Sequence, residues 1–345
     1  MFPYIAILIE IIFVYAITKS YKLDKVQKQF AYAFISIQLI LFCSLRYGIG
    51  IDYSAYKSIY YKTSDILFEN VEPGFKLLID FFHLLNLPFE VFVFCISSTT
   101  IYFALKYIFT CSHNIGLSIL IFYCFGQYYL LTFNLMRQGI VIYWFLASLI
   151  LIKKKKFTKY VLGCILMAFF FHSTAIILIP IYFIINKHIP NKIKLAIIIL
   201  LPFVSKFILL AIEQSSYSIY LQISEFSSSI TVFQILMILL SLIVTLFNKK
   251  IPLIFSNLNY IFLLLSTLLI VFNNTPLIQL VSRILFYFSG IYIVLIPNLI
   301  NSIRRKSNKI IAEFSISIIY IVFFIFSTII NSDQNALIPY RTILQ

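Results

Sequence analysis

Residues 138–171 read QGIVIYWFLASLILI, then KKKK, then FTKYVLGCILMAFFF, so that two apolar runs flank a block of four lysines. Each run resembles a transmembrane helix, although it is somewhat shorter than the roughly 20 residues that usually span a bilayer. A short, strongly basic connection between two such runs is typical of a cytoplasmic loop. This stretch therefore predicts an integral membrane protein with this lysine block in the cytoplasm.

The same alternation of apolar runs and short polar loops extends through the 345 residues, of which 61% are hydrophobic and 11% are charged. No soluble fold of this length needs so much apolar surface. We predict an all-α, polytopic membrane protein with about twelve spanning helices, forming a single transmembrane domain over residues 1–345. The predicted spans are 2–18, 30–45, 89–109, 115–132, 138–152, 157–171, 173–186, 195–212, 230–247, 253–272, 284–301 and 310–330.

Lysine and arginine separate across the membrane when the loops are assigned to alternate sides. All but eight of the 27 basic residues fall on one side, which the positive-inside rule identifies as the cytoplasm. Both termini then lie outside, and the net charge of +15 reflects membrane topology rather than nucleic-acid binding. The eight outer basic residues are Arg46, Lys57, Lys62, Lys76, Arg137, Lys206, Arg283 and Arg341.

Arginine is concentrated on this outer side, whereas lysine dominates the cytoplasmic loops. A planar guanidinium binds phosphate or carboxylate with two parallel hydrogen bonds, which lysine does not reproduce. Arg46 closes the second span beside Gly48 and Gly50, and glycines allow a tight turn or the close approach of a ligand. Arg137 lies in the tight loop between spans four and five, and Arg283 opens span eleven. We expect these three arginines to bind an anion in one outward cavity, although each could instead be an interfacial anchor.

The outer loop 46–88 is more than a linker. Residues 75–85 have apolar side chains at helical spacing but are too few to span, so they predict an amphipathic helix on the outer membrane surface. The polar candidates in this loop are Asp52, Tyr53, Tyr56 and Glu72.

His172 marks a predicted break between two apolar runs, at the tip of an outward hairpin. An ionisable group at this depth is a functional hypothesis by default, and histidine is suited to general-base chemistry. Asp52 is the alternative base, because a carboxylate near an arginine stays ionised and accepts a proton equally well. A structural role for His172, or a solvated loop position for Asp52, also fits the sequence.

Taken in order, these pieces resemble the EpsG-like branch of Wzy-type polysaccharide polymerases. The resemblance covers nearly the whole chain, and Ile51 departs from the small residue usual at that position. It adds Tyr53, Tyr56, Glu72, Gln138, Tyr287 and Arg341 as candidate sugar contacts or secondary site residues. The matching stretches are Arg46-Tyr-Gly-Ile-Gly-Ile-Asp52-Tyr53 with Tyr56, Glu72-Pro73-Gly74-Phe75, Met136-Arg137-Gln138, His172-Ser173-Thr174-Ala175 with Pro180, Arg283-Ile284 with Tyr287, and Pro339-Tyr340-Arg341.

The resemblance implies a membrane glycosyltransferase that acts on undecaprenyl-diphosphate-linked oligosaccharide at the outer face of the bacterial cytoplasmic membrane. A growing O-antigen, capsule or exopolysaccharide chain would pass from its lipid diphosphate to an incoming lipid-linked unit. The outer arginines Arg46, Arg137 and Arg283 would bind the diphosphate, and His172 or Asp52 would be the base. The expected partners are the lipid-linked substrates, membrane lipids and a chain-length regulator. We expect no cofactor, metal or nucleic acid.

Three other functions remain open from the sequence, one of them a membrane acyltransferase, whose active histidine we would expect among embedded polar residues. A transporter or flippase of lipid-linked oligosaccharide has a similar number of spans, but it usually carries charge deep within its helices and repeats between its halves. Here the outer charges lie at the predicted rim, and we find no convincing repeat. Another lipid-phosphosugar-dependent glycosyltransferase, with Asp52 as base, is the third alternative.

Overall fold

The computed structural model of the chain describes residues 1–20, 23–214, 232–247, 251–273, 275, 277–330 and 336–343. Throughout these ranges the protein is helical, and its β pairing is limited to one isolated antiparallel bridge between Arg46 and Thr342. The all-α prediction is confirmed. Lys22, Lys249 and Lys250 of the predicted cytoplasmic charge, and residues 230–231 of a predicted span, lie outside the described residues.

The described ranges contain sixteen α-helices, which are numbered in chain order, and 3-10 turns at Leu130–Phe133 and Ser173–Ile177 separate some of them. A π-helix, Ile325–Ile330, follows the last one directly. The helices are α1 Phe2–Ser20, α2 Lys25–Ser44, α3 Tyr53–Tyr60, α4 Asp65–Glu69, α5 Pro73–Leu84, α6 Phe89–Cys111, α7 Ile115–Cys124, α8 Met136–Lys153, α9 Phe157–Phe170, α10 Leu178–Ile185, α11 Asn191–Glu213, α12 Val232–Phe247, α13 Leu253–Val271, α14 Leu277–Ser289, α15 Tyr292–Asn301 and α16 Lys306–Phe324.

Six helices in the described part of the chain are long and apolar enough to cross a membrane, namely α1, α2, α6, α8, α13 and α16. The consecutive helices α14 and α15 make a seventh if they are counted as one span. Other apolar helices, including α7 and α9, are shorter. These helices indicate a membrane protein, but the predicted count of about twelve spans is not confirmed.

The predicted span 115–132 is not one helix. Helix α7 ends at Cys124, and the chain turns at Gly126. The turn is closed by main-chain bonds from Tyr128 to Phe125 at 2.8 Å and from Tyr129 to Phe122 at 3.2 Å. The apolar signal after residue 124 therefore comes from aromatic side chains that are buried in the protein, not from a continuous spanning helix.

The predicted span 284–301 begins earlier and is interrupted. Leu277, Val281 and Leu285 are buried at helical spacing, so the helix continues past Arg283, which is exposed. Arg283 therefore lies in the second turn of α14 instead of at the start of a span. Helix α14 ends at Ser289, and α15 begins two residues after Gly290.

The described chain divides into two compact units, residues 1–179 with 292–345, and residues 180–291. In the first unit, different helices contact the two ends of α1. Lys19, at the end of α1, forms an ion pair with Glu313 of α16. At the other end, the ring of Tyr4 packs against Phe42 of α2, with 5.1 Å between ring centroids. The start of α1 and the end of α2 thus lie together, as alternate crossing predicts.

The loop between α2 and α6 is folded into α3, α4 and α5. The helix predicted at 75–85 is α5, and it begins two residues earlier than expected. Phe75 packs edge-on against Phe92 of α6, at 5.3 Å between centroids, whereas Phe81 and Leu84 are exposed. The exposed apolar side chains suit a helix at a membrane surface, and that location stays a prediction.

Candidate functional site

The carboxylate of Glu72 joins three distant parts of the chain. Its Oε2 accepts a hydrogen bond from Nη1 of Arg137, at the start of α8. Its Oε1 lies 3.1 Å from Nδ1 of His172 and accepts the main-chain N–H of Ser173, also at 3.1 Å. Glu72, Arg137 and His172, which we call the carboxylate cluster, were each proposed from sequence, and Arg137 and His172 both contact Glu72.

The sequence Glu72-Pro73-Gly74 explains how this carboxylate reaches its partners. Glu72 is the N-cap residue of α5 and Pro73 occupies the first turn, where its fixed φ favours helix initiation. The Glu72 side chain makes no capping bond, so both oxygens are available to the cluster. A Cβ at Gly74 would lie 2.7 Å from the carbonyl oxygen of Phe169 and from Cα of Phe170. Only glycine lets α5 approach the end of α9, next to His172.

Arg137 is held in the first turn of α8. Its guanidinium carbon lies 5.8 Å from the ring centroid of Phe75, and its main-chain N–H donates to the hydroxyl of Tyr56 at 3.4 Å. The Nε atom is buried and has no hydrogen-bond partner among the residues that the structure describes. Because a guanidinium carries five N–H donors, the bond to Glu72 uses only part of its capacity. Arg137 can therefore hold Glu72 and a second acceptor together.

His172 lies at the break that the sequence predicts. Helix α9 ends at Phe170, and His172 precedes the 3-10 turn at residues 173–177. The hydroxyl of Tyr160, in the first turn of α9, donates to the carbonyl of Leu178 at 2.8 Å, so the chain folds back along α9. The histidine is thus at the tip of a hairpin, with 17% of its side chain exposed.

The charges in the cluster determine which ring nitrogen of His172 carries the proton. Burial raises the pKa of Glu72, but the hydrogen bond from His172 and the charge of Arg137 outweigh burial, so this pKa lies below its ordinary value of 4.5. Glu72 is therefore ionised at neutral pH. A carboxylate only accepts hydrogen bonds, so Nδ1 of His172 carries the proton in this contact. In a neutral imidazole, Nε2 is then left as the proton acceptor.

We expect Glu72→Gln to remove a pH-dependent part of the stability. Since the folded pKa is depressed, this stabilisation is fully present above the unfolded value near 4.5 and is lost as pH falls through the lower folded value. The difference in Tm between the purified wild-type protein and Glu72→Gln should be largest at neutral pH and shrink in acid. Asp80→Asn, which removes an exposed ion pair with Lys62, should change Tm little at any pH. A Glu72→Gln difference independent of pH would contradict the depressed pKa.

Helix α3 and the residue before it carry three further candidates, of which Tyr56 contacts Arg137. Asp52 is half-buried, and its carbonyl accepts the main-chain N–H of Tyr56 at 3.0 Å. Burial raises the pKa of Tyr56, the charge of Arg137 opposes this, and the charge of Asp52 adds to it. Both charges thus act on the Tyr56 hydroxyl. Tyr53 is buried against Phe89, with 5.3 Å between ring centroids.

Arg46 is fully buried in this conformation. Its Nη1 donates to the carbonyl of Cys43 and to the hydroxyl of Ser97 at 2.8 Å, and Nη2 donates to the carbonyl of Phe133 at 3.4 Å. Among the described residues no carboxylate pairs with it. Arg46 therefore links α2 to α6 and to the segment before α8. To bind a diphosphate it would have to leave these acceptors, and that role stays a prediction.

Asn134, which the sequence analysis did not select, ties the loop after α2 to the segment that carries Arg137. Its Oδ1 accepts the main-chain N–H of Ile51 at 2.7 Å. Gly50 has φ +105°, and a Cβ there would lie 2.7 Å from the same oxygen. In the sequence, its role was indicated only by its position three residues before Arg137. Residues 133–137 thus contact both Arg46 and Glu72.

The remaining candidates are Gln138 and Arg341 in the first unit and Arg283 and Tyr287 in the second. Gln138 is buried in α8, and the side chain of Arg341 is exposed in the C-terminal segment. Arg283 is exposed and Tyr287 is buried on α14, in the second unit. The structure brings Arg46 and Arg137 to one short segment, while convergence with Arg283 stays a prediction.

A family model described as the EpsG family matches residues 29–342. The match runs from α2 into the C-terminal segment, so it includes every candidate site residue from Arg46 to Arg341. No curated protein and no solved structure matches the chain. Because the matched region is nearly the whole sequence, the chain belongs to the EpsG family, the family of Wzy-like polysaccharide polymerases.

Proposed function

We propose that the protein polymerises undecaprenyl-diphosphate-linked oligosaccharide units at the outer face of the bacterial cytoplasmic membrane. The growing O-antigen, capsule or exopolysaccharide chain passes from its lipid diphosphate to the sugar of an incoming lipid-linked unit. Membership of the EpsG family supports the class of reaction. The observation that carries the mechanism is the Glu72 carboxylate, which contacts both a potential base and a potential phosphate ligand.

In the proposed step, a hydroxyl of the acceptor sugar attacks the anomeric carbon of the donor glycan. A new C–O glycosidic bond forms, and the bond from that carbon to the diphosphate breaks. The lipid diphosphate leaves with the electron pair, and Nε2 of His172 takes the hydroxyl proton. Glu72 holds the imidazole through Nδ1 and stabilises the imidazolium that forms, as a carboxylate does in other histidine-based sites. A positioned base of this kind contributes about 10²–10⁴-fold.

The leaving diphosphate needs cationic donors because negative charge develops on it. Arg137 is placed to hold the base and the leaving group together, since Glu72 occupies only part of its donors. Arg46 is the second proposed phosphate ligand, and Arg283 stays a candidate from the sequence. Arg46 would exchange neutral acceptors for phosphate oxygens, and hydrogen bonds to an ionised acceptor are roughly twice as strong. Among the described residues no carboxylate pairs with its buried charge, which supports this exchange.

The glycan profile of the source cell tests the proposal. A strain lacking this protein should lose long chains but keep single repeat units on its surface, and the wild-type gene should restore the long chains. Loss of all surface glycan, with lipid-linked units retained inside, would identify a flippase instead. Repeat units of lower mass would identify another glycosyltransferase that builds the unit itself. Either of these two results would contradict the polymerase.

A further inference from the structure

The last described residues, Ala336–Ile343, lie against the loop Arg46–Asp52 that joins α2 to α3. We propose that this C-terminal tail is a positioning segment of the site, in which Tyr340 anchors the tail and the tail sets the conformation of the loop. The inference rests on the proposed function for its consequence on polymerisation. The position of the loop, however, is measurable without any activity.

Main-chain hydrogen bonds join the tail to the loop in both directions. Arg46 faces Thr342 in the antiparallel bridge. Because these bonds involve the backbone, they fix the tail against the chain at Leu45, Tyr47 and Gly50. The bonds run from Tyr47 N–H to the carbonyl of Arg341 at 2.9 Å, from Gly50 N–H to the carbonyl of Ala336 at 3.1 Å, and from Ile343 N–H to the carbonyl of Leu45 at 3.0 Å.

Tyr340 fastens the tail to α2. Its ring stacks on Phe42, with 4.2 Å between centroids and 6° between planes, and its hydroxyl donates to the carbonyl of Phe42 at 2.6 Å. Phe42 lies in the last turn of α2, where carbonyls have no partner within the helix, so this bond satisfies one of them. Tyr4 packs edge-on against Tyr340, and the hydroxyl of Tyr4 donates to the carbonyl of Leu337 at 2.7 Å.

The loop needs this support because it contains two glycines at positive φ, Gly48 at +65° and Gly50 at +105°. Glycine loses the most conformational freedom on folding, so such a loop does not keep one shape unaided. One side of the loop is held by Asn134, and the tail holds the other. The loop ends at Asp52, directly before the helix whose Tyr56 contacts Arg137. The tail therefore acts on the site through the loop.

A spin label tests this arrangement. In a protein with Cys95 and Cys111 replaced by serine, the label is attached at Ile51→Cys in the loop or at Ile66→Cys in α4, both exposed positions. Tyr340→Ala should increase label mobility at position 51 but not at position 66. It should also lower the rate of polymer formation, by about 10- to 100-fold, because small misplacements of reacting groups are costly. Tyr340→Phe keeps the stacked ring and should change both readouts much less.

Tyr32→Phe is the matched control, since it removes a hydroxyl bond to Thr18 where the other ends of α1 and α2 meet. It should leave both readouts at the wild-type level. An unchanged label at position 51 in Tyr340→Ala would overturn the proposal, as would mobility that rises equally at position 66. A mobile loop with wild-type polymerisation would also overturn it. If the wild-type protein forms no polymer, the proposed function fails, while the label still reports whether the tail holds the loop.

Discussion

His172→Ala is expected to lower the polymerisation rate about 10²–10⁴-fold while the amount of protein in the membrane stays the same. Alanine removes the proton acceptor at Nε2, which the bond from Nδ1–H to Glu72 orients. It leaves the ion pair between Glu72 and Arg137 in place. The rate is measured with purified protein in liposomes that contain lipid-linked repeat units.

His172→Gln sharpens this test, because glutamine retains hydrogen bonding toward Glu72 but does not accept the proton. It should be as slow as His172→Ala. His83→Ala is the control, since the ring of His83, on α5, packs against Tyr60 of α3. Its rate should stay within a few-fold of wild type. Near-normal chain length with His172→Gln would show that the histidine is structural.

Arg137→Lys is expected to lower the rate about 10- to 100-fold, with protein level unchanged. Hydrogen bonds to charged groups contribute about 1.5–3 kcal/mol each, and lysine has one nitrogen where arginine has a planar fork. The lysine ammonium can pair with Glu72 but does not reproduce the second donor directed at the diphosphate. The loss is measured in the same liposome assay at saturating and at low substrate.

Arg305→Lys is the matched control, because Arg305 is an exposed arginine that precedes α16 on the predicted cytoplasmic side. This change should leave the rate unaltered, since any positive charge serves there. Full activity of Arg137→Lys would contradict the proposal that separate N–H donors of Arg137 hold Glu72 and the diphosphate. Arg137 would then be a structural partner of Glu72 only.

The sequence predicted the helical membrane class, the break at His172 and the helix in the outer loop because each depends on local pattern. Runs of apolar residues, a polar interruption and helical spacing are visible within a few residues. Glu72 was recognised only as a secondary candidate. Its bonds to Arg137 and His172 connect residues 65 and 100 positions apart, and no local spacing indicates them.

The burial of individual side chains was a second property that the sequence did not reveal. Arg46 was expected at the outer rim, but its guanidinium is enclosed by the carbonyls of Cys43 and Phe133 and the hydroxyl of Ser97. In the sequence, an arginine at the end of an apolar run is the same whether its guanidinium extends to the membrane surface or is buried in the protein. The stacking of Tyr340 on Phe42 was likewise hidden, since nearly 300 residues lie between them.

His172, oriented by Glu72, is the proposed base, and Asp52 is its rival. The most direct measurement compares His172→Ala and Asp52→Asn side by side in the liposome assay, with equal amounts of folded protein. We predict that chain growth falls about 10²–10⁴-fold in His172→Ala, whereas Asp52→Asn retains measurable activity. Chain growth near the wild-type rate in His172→Ala, together with no growth in Asp52→Asn, would contradict this prediction and assign the base to Asp52.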